Sequence, residues 1–516
     1  MKVKALSRSQ SSTTRSTPSD LRPLHKNLNP TSHPLPRARE YTRALTAAKL
    51  DRMFANPFVG ELKGGHVDGV NCLAVCRTNL LPVVSGGVDG TVRIWDLQSR
   101  SMVKSLDAHS RCVSGLVFGN GIGGTFYSCG EDGLVKAWNC FPQSNYGKGD
   151  EEGVDDDKRG SARKPTAKGT LHNHKRNSSK SNNHNEQESS PYGPINTYRL
   201  PATRSSHNSL SFHSIDHHWS FPQFATASSD SAIHLWDPNR SNPVTSFTNL
   251  WGSDDTVTTL RYNPAESDLI AHCSNDRGIG LHDTRTASAL SKTILGMKSN
   301  CLEWNPMEPY IFVVGNEDYN AYTFDMRKLN RPTGIYKGHV GAVMSVGWSP
   351  TGTEFVTGSY DKTLRIFNVR KEAGTASHIG SSSTGVARDI YHTKRMQRVF
   401  CTAYTSDHKF ILSGSDDTNL RLWKARSSEK IGQLSAREEA SLQYRSALVQ
   451  KYAHLPEVKR IAKSRRVPKF VKKETQMAML QKEKRRRKEE NVVKHSKPGT
   501  KSFTDEKGKL VVKTVD

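Results

Sequence analysis

The chain has 516 residues, of which 34% are hydrophobic and 8% aromatic, a balance that suits a folded core with polar appendages. Its formal net charge of +25 is concentrated in two arms, because residues 1–60 hold eleven Lys or Arg against three Asp or Glu and residues 426–497 hold 21 against eight. No apolar run approaches the ~20 residues that span a bilayer, and the first twenty residues lack an apolar secretory core, so we expect neither a membrane protein nor a secreted one.

The position of the charge along the chain indicates which kind of partner the protein binds. We expect residues 1–56 to form a basic N-terminal arm with a short helix. A near-neutral body with two basic arms favours a polyanionic partner, most simply nucleic acid. The alternative is that the arms are only solvated tails. The eight cysteines have no regular spacing, which indicates reduced core residues of an intracellular protein.

One short pattern recurs seven times between residues 57 and 425: small residues, an aspartate, and a ring side chain six positions later. The aspartates mostly follow one another at intervals close to the ~40–45 residues of a WD repeat. Aspartate caps backbone N–H groups in a tight turn, and the residues after it alternate as in a half-buried strand. The pattern predicts an all-β, seven-bladed WD-repeat β-propeller over residues 57–425. The turn aspartates are Asp89, Asp132, Asp230, Asp276, Asp318, Asp361 and Asp417, and the ring positions are Trp95, Trp138, Trp236, His282, Phe324, Phe367 and Trp423.

Three repeats also open with a histidine 22 or 23 residues before the aspartate, at His66, His109 and His339. These repeats resemble the WD-repeat family, in which the histidine, the aspartate, a Ser or Thr and the Trp form a buried hydrogen-bonded network. The fourth and fifth repeats depart from the pattern, with His282 and Phe324 in place of Trp. We expect incomplete networks in blades 4 and 5.

The ends of the repeat region predict how the ring closes. The last repeat lacks an outer strand after Trp423, and residues 58–62 alternate in polarity just before the first repeat. We expect residues 58–62 to complete blade 7, which removes an exposed sheet edge.

Two steps between repeats are long and predict insertions. Residues 142–196 are polar, of low complexity and poor in aromatic side chains, so we expect a disordered insert. A shorter insert is expected at about 372–388. Both should form loops at the rim of the ring.

Two patterns resemble active sites but have simpler interpretations. His66, Ser85 and Asp89 have the residue types of a hydrolase triad, yet the set recurs between blades as a packing device. Residues 119–124 match the dinucleotide-binding fingerprint, which must open a helix, whereas here they lead into a strand. We expect no catalytic residue and no cofactor.

Metal sites are not expected either. Cys72 and Cys76 lie within one strand without a second pair, so core packing is the simpler interpretation. His172, His174 and His184 fall in the polar insert, where a metal site is the less favoured alternative.

Residues 426–516 predict a basic, largely helical C-terminal extension that ends in a flexible tail. Ser435 and Glu438 form a capping box at the start of a helix, and Pro456 lies after its end. Apolar residues four apart need a surface to bury against, either on the propeller or on a partner. This stripe consists of Ala440, Tyr444, Leu448 and Tyr452.

A cluster of six basic side chains follows within seven residues. Such a run favours contact with RNA phosphates or a nuclear import receptor, and a solvated helix is the alternative. The candidate contact residues are Lys482, Lys484, Arg485, Arg486, Arg487 and Lys488.

Several segments carry a more specific resemblance than the repeat pattern does: MKVKALSR at the start and residues 39–54, 316–320, 391–397, 485–489 and 494–499. They resemble one family, the eukaryotic "suppressor of fibrillarin" WD-repeat proteins of the small-subunit processome. This resemblance implies a non-catalytic nucleolar scaffold in pre-rRNA processing, whose partners are processome proteins, a box C/D small nucleolar ribonucleoprotein and, through the basic arms, pre-rRNA.

The same family implies an alternative function. Its animal members are regarded as substrate receptors of cullin–RING ubiquitin ligases through Trp-Asp-x-Arg boxes. The corresponding stretches here, HDTR at 282–285 and FDMR at 324–327, keep the Asp and Arg but not the Trp. Arg285 and Arg327 are therefore candidate contacts for a ubiquitin-ligase adaptor.

Overall fold

A computed structural model of the chain describes residues 35–80, 82–120, 124–141, 193–200, 210–248, 256–369, 384–497, 500 and 506–515. The expectations for most of the N-terminal arm, for most of both inserts and for the three histidines in the first insert lie outside the described residues.

The repeats fold into four-stranded antiparallel units, which we number as blades 1 to 7 in chain order. Blade 1 contains β2 (Val70–Val75), β3 (Val83–Gly87), β4 (Thr91–Asp96) and β5 (Ser101–Asp107). Blade 2 contains β6 (Val113–Phe118), β7 (Thr125–Gly130), β8 (Leu134–Asn139) and β9 (Asn196–Arg199). Blade 3 contains β10 (Phe212–His217), β11 (Phe224–Ser228), β12 (Ile233–Trp236) and β13 (Thr245–Phe247). Blade 4 contains β14 (Val257–Tyr262), β15 (Leu269–Ser274), β16 (Gly278–Asp283) and β17 (Ser288–Leu295). Blade 5 contains β18 (Ser299–Trp304), β19 (Ile311–Asn316), β20 (Ala321–Asp325) and β21 (Gly334–Lys337).

Blades 6 and 7 complete the ring. Blade 6 contains β22 (Val343–Trp348), β23 (Glu354–Ser359), β24 (Leu364–Asn368) and β26 (Asp389–Tyr391). Blade 7 contains β27 (Val399–Tyr404), β28 (Phe410–Ser415) and β29 (Leu420–Lys424), together with β1 (Phe58–Glu61) from the start of the chain. The core lies between neighbouring blades. Within a blade, the side chain at the ring position can also stack on the preceding strand. In blade 3, for example, the rings of Phe224 and Trp236 are 6.0 Å apart and nearly parallel. Trp95, Trp236 and Trp423 are at most 1% exposed. The predicted seven-bladed propeller is confirmed.

The N-terminal strand closes the ring as predicted. β1 pairs antiparallel with β29, with Phe58 opposite Trp423 and Glu61 opposite Arg421. The Phe58 and Trp423 rings meet edge to face at 5.4 Å. Two distant parts of the chain therefore share blade 7, and the edge of β29 that would otherwise be open is covered.

Two further strands add a fifth strand to a blade. β25 (Thr384–Val386) pairs in parallel with β21 on blade 5, so this end of the second insert is not simply a loop. β30 (Val511–Val515) pairs antiparallel with β17 on blade 4, with Thr514 opposite Thr293. The expectation of a flexible tail was wrong for residues 511–515, because these mostly β-branched residues form a strand that covers an otherwise open sheet edge.

In the described part of the chain, five helices lie outside the blades: α1 (Pro36–Met53), α2 (Ala436–Lys451), α3 (Pro456–Lys463), α4 (Lys469–Lys494) and α5 (Glu506–Leu510). Ser435 caps α2, and its side chain accepts a hydrogen bond from the Glu438 N–H at 3.3 Å, as the capping box predicts.

The two ends of the ring differ. We call the end that carries the turn aspartates the aspartate rim, and the other end, where the third strand of each blade finishes, the arm rim. Both arms leave from the arm rim of blade 7, where the Lys424 N–H donates to the Pro57 carbonyl at 2.8 Å and the Asn56 N–H donates to the Ser427 carbonyl at 3.1 Å.

Candidate interaction surfaces

The histidine–aspartate sets are buried hydrogen-bonded networks within blades 1, 2 and 6. In blade 1 the Ser85 hydroxyl bonds the His66 Nε2 at 2.7 Å and accepts from the Trp95 indole at 2.8 Å. Ser85 is fully buried, so its hydroxyl has no access to a substrate. Burial lowers the pKa of His66 in spite of the attraction of Asp89. A neutral imidazole in a packed site is a structural element and not a general base next to a nucleophile.

Blade 2 repeats this geometry, with Ser128 bonded to both His109 at 2.8 Å and Trp138 at 2.9 Å. Blade 6 keeps the histidine, and His339 bonds Thr357 at 2.7 Å and Asp361 at 2.9 Å. Phe367 at the ring position has no indole N–H to donate to Thr357.

The networks in blades 4 and 5 depart from this pattern, as predicted. In blade 4 the Lys292 ammonium pairs with Asp276, while both ring nitrogens of His282 are buried without a hydrogen-bond partner among the described residues. In blade 5 the Tyr322 hydroxyl bonds Asp318, and Phe324 fills the ring position. Blade 7 departs too, since Arg421 pairs with its turn aspartate there in the absence of an opening histidine.

The apolar stripe of the C-terminal arm packs on the N-terminal arm. Leu448 of α2 is 1% exposed, and the small residues Ala44, Ala47 and Ala48 of α1 are buried on the facing side. The Tyr452 hydroxyl donates to Glu40 at 3.0 Å. The sequence allowed either the propeller or a partner as the covering surface, whereas the structure shows a third arrangement, a helical unit built by both arms.

The helical unit is fixed to blade 6 at one carboxylate. Asp389 lies 3.1 Å from Arg52 of α1 and 3.5 Å from Arg465, which follows α3. Arg388 bridges Glu354 at 3.1 Å in the same cluster. Burial, together with the positive charge of Arg52, lowers the pKa of Arg465 to about 10. We call this cluster the Asp389 latch.

The six predicted basic contact residues all lie in the second half of α4. Every side chain from residue 476 to residue 489 is exposed. Arg487 pairs with Glu483 at 2.7 Å and Arg486 with Glu490 at 3.2 Å, but exposed pairs of this kind contribute little to stability. The cluster is thus a solvated, positively charged stretch of helix, which suits either an anionic partner or solvent alone.

The extension is tied to the ring at both ends of α4. Its first end follows the Asp389 latch, and Val471 is fully buried there. Its second end leads through α5 to β30 on blade 4, and Lys509 of α5 pairs with Glu489 at 2.5 Å. The helix therefore runs from blade 6 to blade 4 as a strap.

The two candidate adaptor residues lie on one rim. Arg285 and Arg327 directly follow the third strands of blades 4 and 5, so both are on the arm rim, and both are exposed. Arg327 makes a bidentate pair with Asp325 at 2.8 and 3.0 Å, and its guanidinium lies 4.5 Å from the centre of the Tyr310 ring. Arg327 is held in place while 61% of its side chain remains exposed.

A charged cluster in the central channel was not anticipated. The channel has a volume of about 730 Å³, and Arg77 of blade 1 reaches Asp216 of blade 3 at 3.4 Å, with its guanidinium 3.9 Å from the centre of the Trp219 ring. Burial raises the pKa of Glu303, also in the channel, to about 7. The only signal in the sequence is a carboxylate at the fifth position of an inner strand, in FHSIDH and SNCLEW.

Two kinds of site are not found in the described part of the chain. Its histidine, cysteine and acidic side chains form no group of three or more that could hold a metal ion. None of its helices is long and apolar enough to cross a membrane.

Comparisons with known proteins agree with this architecture. Residues 57–96, 330–368 and 390–424 match the G-beta repeat of the WD domain, and residues 425–511 match the Sof1-like domain. The chain is 41% identical to "DDB1- and CUL4-associated factor 13" of Danio rerio over 516 residues, with 100% of both chains covered. It is 41% identical to the Homo sapiens protein of the same name over 515 residues, again with 100% of both chains covered. It is 36% identical to "Protein SOF1" of Saccharomyces cerevisiae, covering 100% of this chain and 95% of that protein. The chain therefore belongs to the Sof1 family of non-enzymatic WD-repeat proteins.

Proposed function

We propose that this protein is a scaffold of the small-subunit processome that acts in pre-rRNA processing and small ribosomal subunit maturation in the nucleolus. The rims of the propeller hold processome proteins and the box C/D small nucleolar ribonucleoprotein, and the basic arms hold pre-rRNA. Membership of the Sof1 family and the 36% identity to "Protein SOF1" support this proposal.

One observation carries the RNA part of the proposal. The six clustered basic side chains are exposed on a helix whose two ends are fastened to the ring. A tethered helix loses less conformational freedom on binding than a free tail does, so its charges bind phosphates at a smaller entropic cost. Each phosphate interaction releases counterions and makes the affinity depend on salt.

The test compares the protein with a variant in which all six residues are glutamine: Lys482, Lys484, Arg485, Arg486, Arg487 and Lys488. Glutamine keeps the helix propensity and removes the charge. We expect the log–log salt slope for a pre-rRNA fragment to fall by roughly 0.7–0.9 for each phosphate interaction that the substitutions remove. The control variant R111Q/R240Q/K409Q removes three exposed charges from the ring and should leave the slope unchanged. An unchanged slope in the six-residue variant would contradict the role of the cluster.

A truncation separates transport from assembly in cells. Removing residues 427–516 should leave a folded ring, because the last repeat ends at Lys424, and should abolish nucleolar accumulation and co-sedimentation with large pre-rRNA particles. A foreign import signal fused to the truncated protein distinguishes the two roles. If it restores association with the particle, the arm supplies only nuclear import.

The second candidate function is a substrate receptor of a cullin–RING ubiquitin ligase. Two observations favour it: the relatives named "DDB1- and CUL4-associated factor 13", and the exposed, braced guanidinium of Arg327 on the same rim as Arg285. Affinity purification at low and high salt tests it against the first proposal. Recovery of a cullin adaptor without processing factors or RNA, abolished in R285A/R327A, would favour the receptor.

A further inference from the structure

The middle of α4 is a helix without packing of its own. All fourteen side chains from residue 476 to residue 489 are exposed, and these include Met477 at 60%, Met479 at 67% and Leu480 at 56%. An isolated helix of this length is only marginally stable in water, and exposed methionines and leucines add nothing to that stability. No part of the chain that the structure describes buries these apolar side chains.

In the first half of α4, three of the four exposed large apolar side chains share one face, whereas Met479 lies on the opposite side. Phe470, Lys473, Met477, Leu480 and Lys484 follow one another at spacings of three, four, three and four residues, which places them on one face. Val471 and Thr475, the more buried residues of this first half, lie on the other side of the helix. This face, which we call the outer face, points away from the surface to which α4 is fastened.

The charges on the outer face favour one kind of occupant. Lys473 lies beside its apolar residues, and Lys484 and Lys488 extend it. Glu474 is the acidic residue nearest to this face, so the charge along the face is positive on balance. Amphipathic helices with apolar residues along one face bind into hydrophobic grooves of other proteins. A groove for this helix needs an apolar floor and carboxylates at its edge, to match the lysines.

We propose that the outer face of α4 docks into an apolar groove, bordered by Asp and Glu side chains, on another protein. RNA is the less suitable occupant of this face, because phosphates offer nothing to bury Met477 and Leu480, whereas the basic residues of the cluster are distributed all around the helix. Docking of this face is compatible with phosphate binding by the other faces of the same helix.

Photo-cross-linking of the full-length protein in cells tests the geometry. A benzophenone side chain is placed at position 477 or at position 479. Because successive residues are about 100° apart, Met479 lies about 160° around the helix from Met477 and is the matched control. We expect a discrete protein adduct from position 477 that survives nuclease treatment, and at least fivefold less of it from position 479. The cross-linked peptide should map to an apolar groove edged with carboxylates.

Substitutions then test affinity for the mapped partner fragment by fluorescence anisotropy. We expect M477A/L480A to weaken binding at least tenfold, because central apolar anchors dominate such interfaces. M479A should change it less than twofold. Alanine is the best helix former, so these variants keep α4 intact, which circular dichroism verifies.

A charge-reversal pair separates protein from RNA. K484E reverses a charge on the outer face, and R485E reverses its neighbour, about 100° away. A protein groove is sensitive mainly to K484E, whereas binding to phosphates is weakened to a similar extent by both. Nuclease-sensitive adducts, equal effects of the two reversals, equal adducts at 477 and 479, or no adduct at 477 would each overturn the proposal. None of these outcomes bears on the salt-slope test of the basic cluster.

Discussion

Asp389, at the start of the outer strand of blade 6, accepts a hydrogen bond at 3.1 Å from Arg52, a residue of the N-terminal helix 337 positions earlier in the chain. Arg465 of the C-terminal arm reaches the same carboxylate oxygen. Both arms therefore pair with the same acidic side chain of the ring, and each arm is strongly basic. The interaction explains why the two arms form one helical unit at one place on the ring.

Removing the charge of Asp389 should loosen that unit. In D389N, the guanidinium groups of Arg52 and Arg465 lose the carboxylate that they share. We expect a loss of about 1–3 kcal/mol and faster hydrogen exchange in α1 and α2. E429Q is the control, because Glu429 pairs with Arg426 in a bridge in which both side chains are more than half exposed, and its change should stay within about 0.5 kcal/mol. Equal exchange in D389N and the wild type would rule the latch out.

Closure of the ring can be tested with two phenylalanines four residues apart. F58A removes the ring that packs on Trp423, and we expect it to cost about 2–4 kcal/mol in the free energy of unfolding. F54A removes a ring that is 71% exposed and should have little effect. Deleting residues 57–62 should lower the melting temperature further, and a deletion variant as stable as the wild type would contradict the closure.

Blade 6 should contribute a defined part of the acid sensitivity. Burial alone raises the pKa of Asp361, but attraction to His339 and Arg365 outweighs it and holds the pKa at about 2. Because this value is below the ~3.9 of an unfolded chain, the ionised group stabilises the fold above about pH 4, by on the order of 2–3 kcal/mol, and the contribution disappears as the pH falls towards 2. The stability difference between the wild type and D361N should therefore shrink between pH 5 and pH 3 in urea titrations.

Asp318 is the matched control for that titration. It occupies the same turn position in blade 5, but burial raises its pKa. The ionised group therefore opposes folding at neutral pH, and this penalty disappears as the pH falls. The wild type should gain stability relative to D318N on acidification, the reverse of the trend in D361N. Parallel trends in the two variants would contradict the assignment.

The C-terminal strand should protect the edge of blade 4. Ending the chain at residue 510 removes β30, and we expect faster hydrogen exchange in the second half of β17, from Lys292 to Leu295, and some self-association through the uncovered edge. V512S changes a side chain that is 67% exposed and should leave exchange in β17 unaltered. Protection that persists after the truncation would show that β17 does not depend on its fifth strand.

The propeller could be predicted from the sequence because each repeat carries its pattern within a short stretch of the chain. Each turn aspartate and its ring residue are six positions apart, so a single blade already shows both the turn and the buried face of the third strand. Ring closure could also be predicted, because residues 58–62 supply the strand that the last repeat lacks.

The contacts between the arms could not be predicted in the same way. The stripe through Leu448 was visible as apolar, but the helix that packs against it, α1, buries only the small residues Ala44, Ala47 and Ala48 and has no marked apolar face. The channel pair of Arg77 and Asp216 joins residues 139 positions apart, and the alternation of an inner strand does not indicate which charges will meet across a ring. The strand at 511–515 has β-branched residues, but only the tertiary structure supplies the edge that it joins.

Because blade 7 combines strands from the two ends of the repeat region, it cannot be completed during synthesis until the last repeat has been made. β1 leaves the ribosome early, yet β29, the strand with which it pairs, is synthesised about 360 residues later, which takes roughly 20–70 s at typical elongation rates. During that interval β1 has not yet paired with β29, and the alanines of α1 have not yet been covered by the C-terminal helices. The intervening blades form one after another in the same period. The newborn chain is then an open arc with two unpaired edges, and the protein most needs chaperones in the period just before its last repeat emerges.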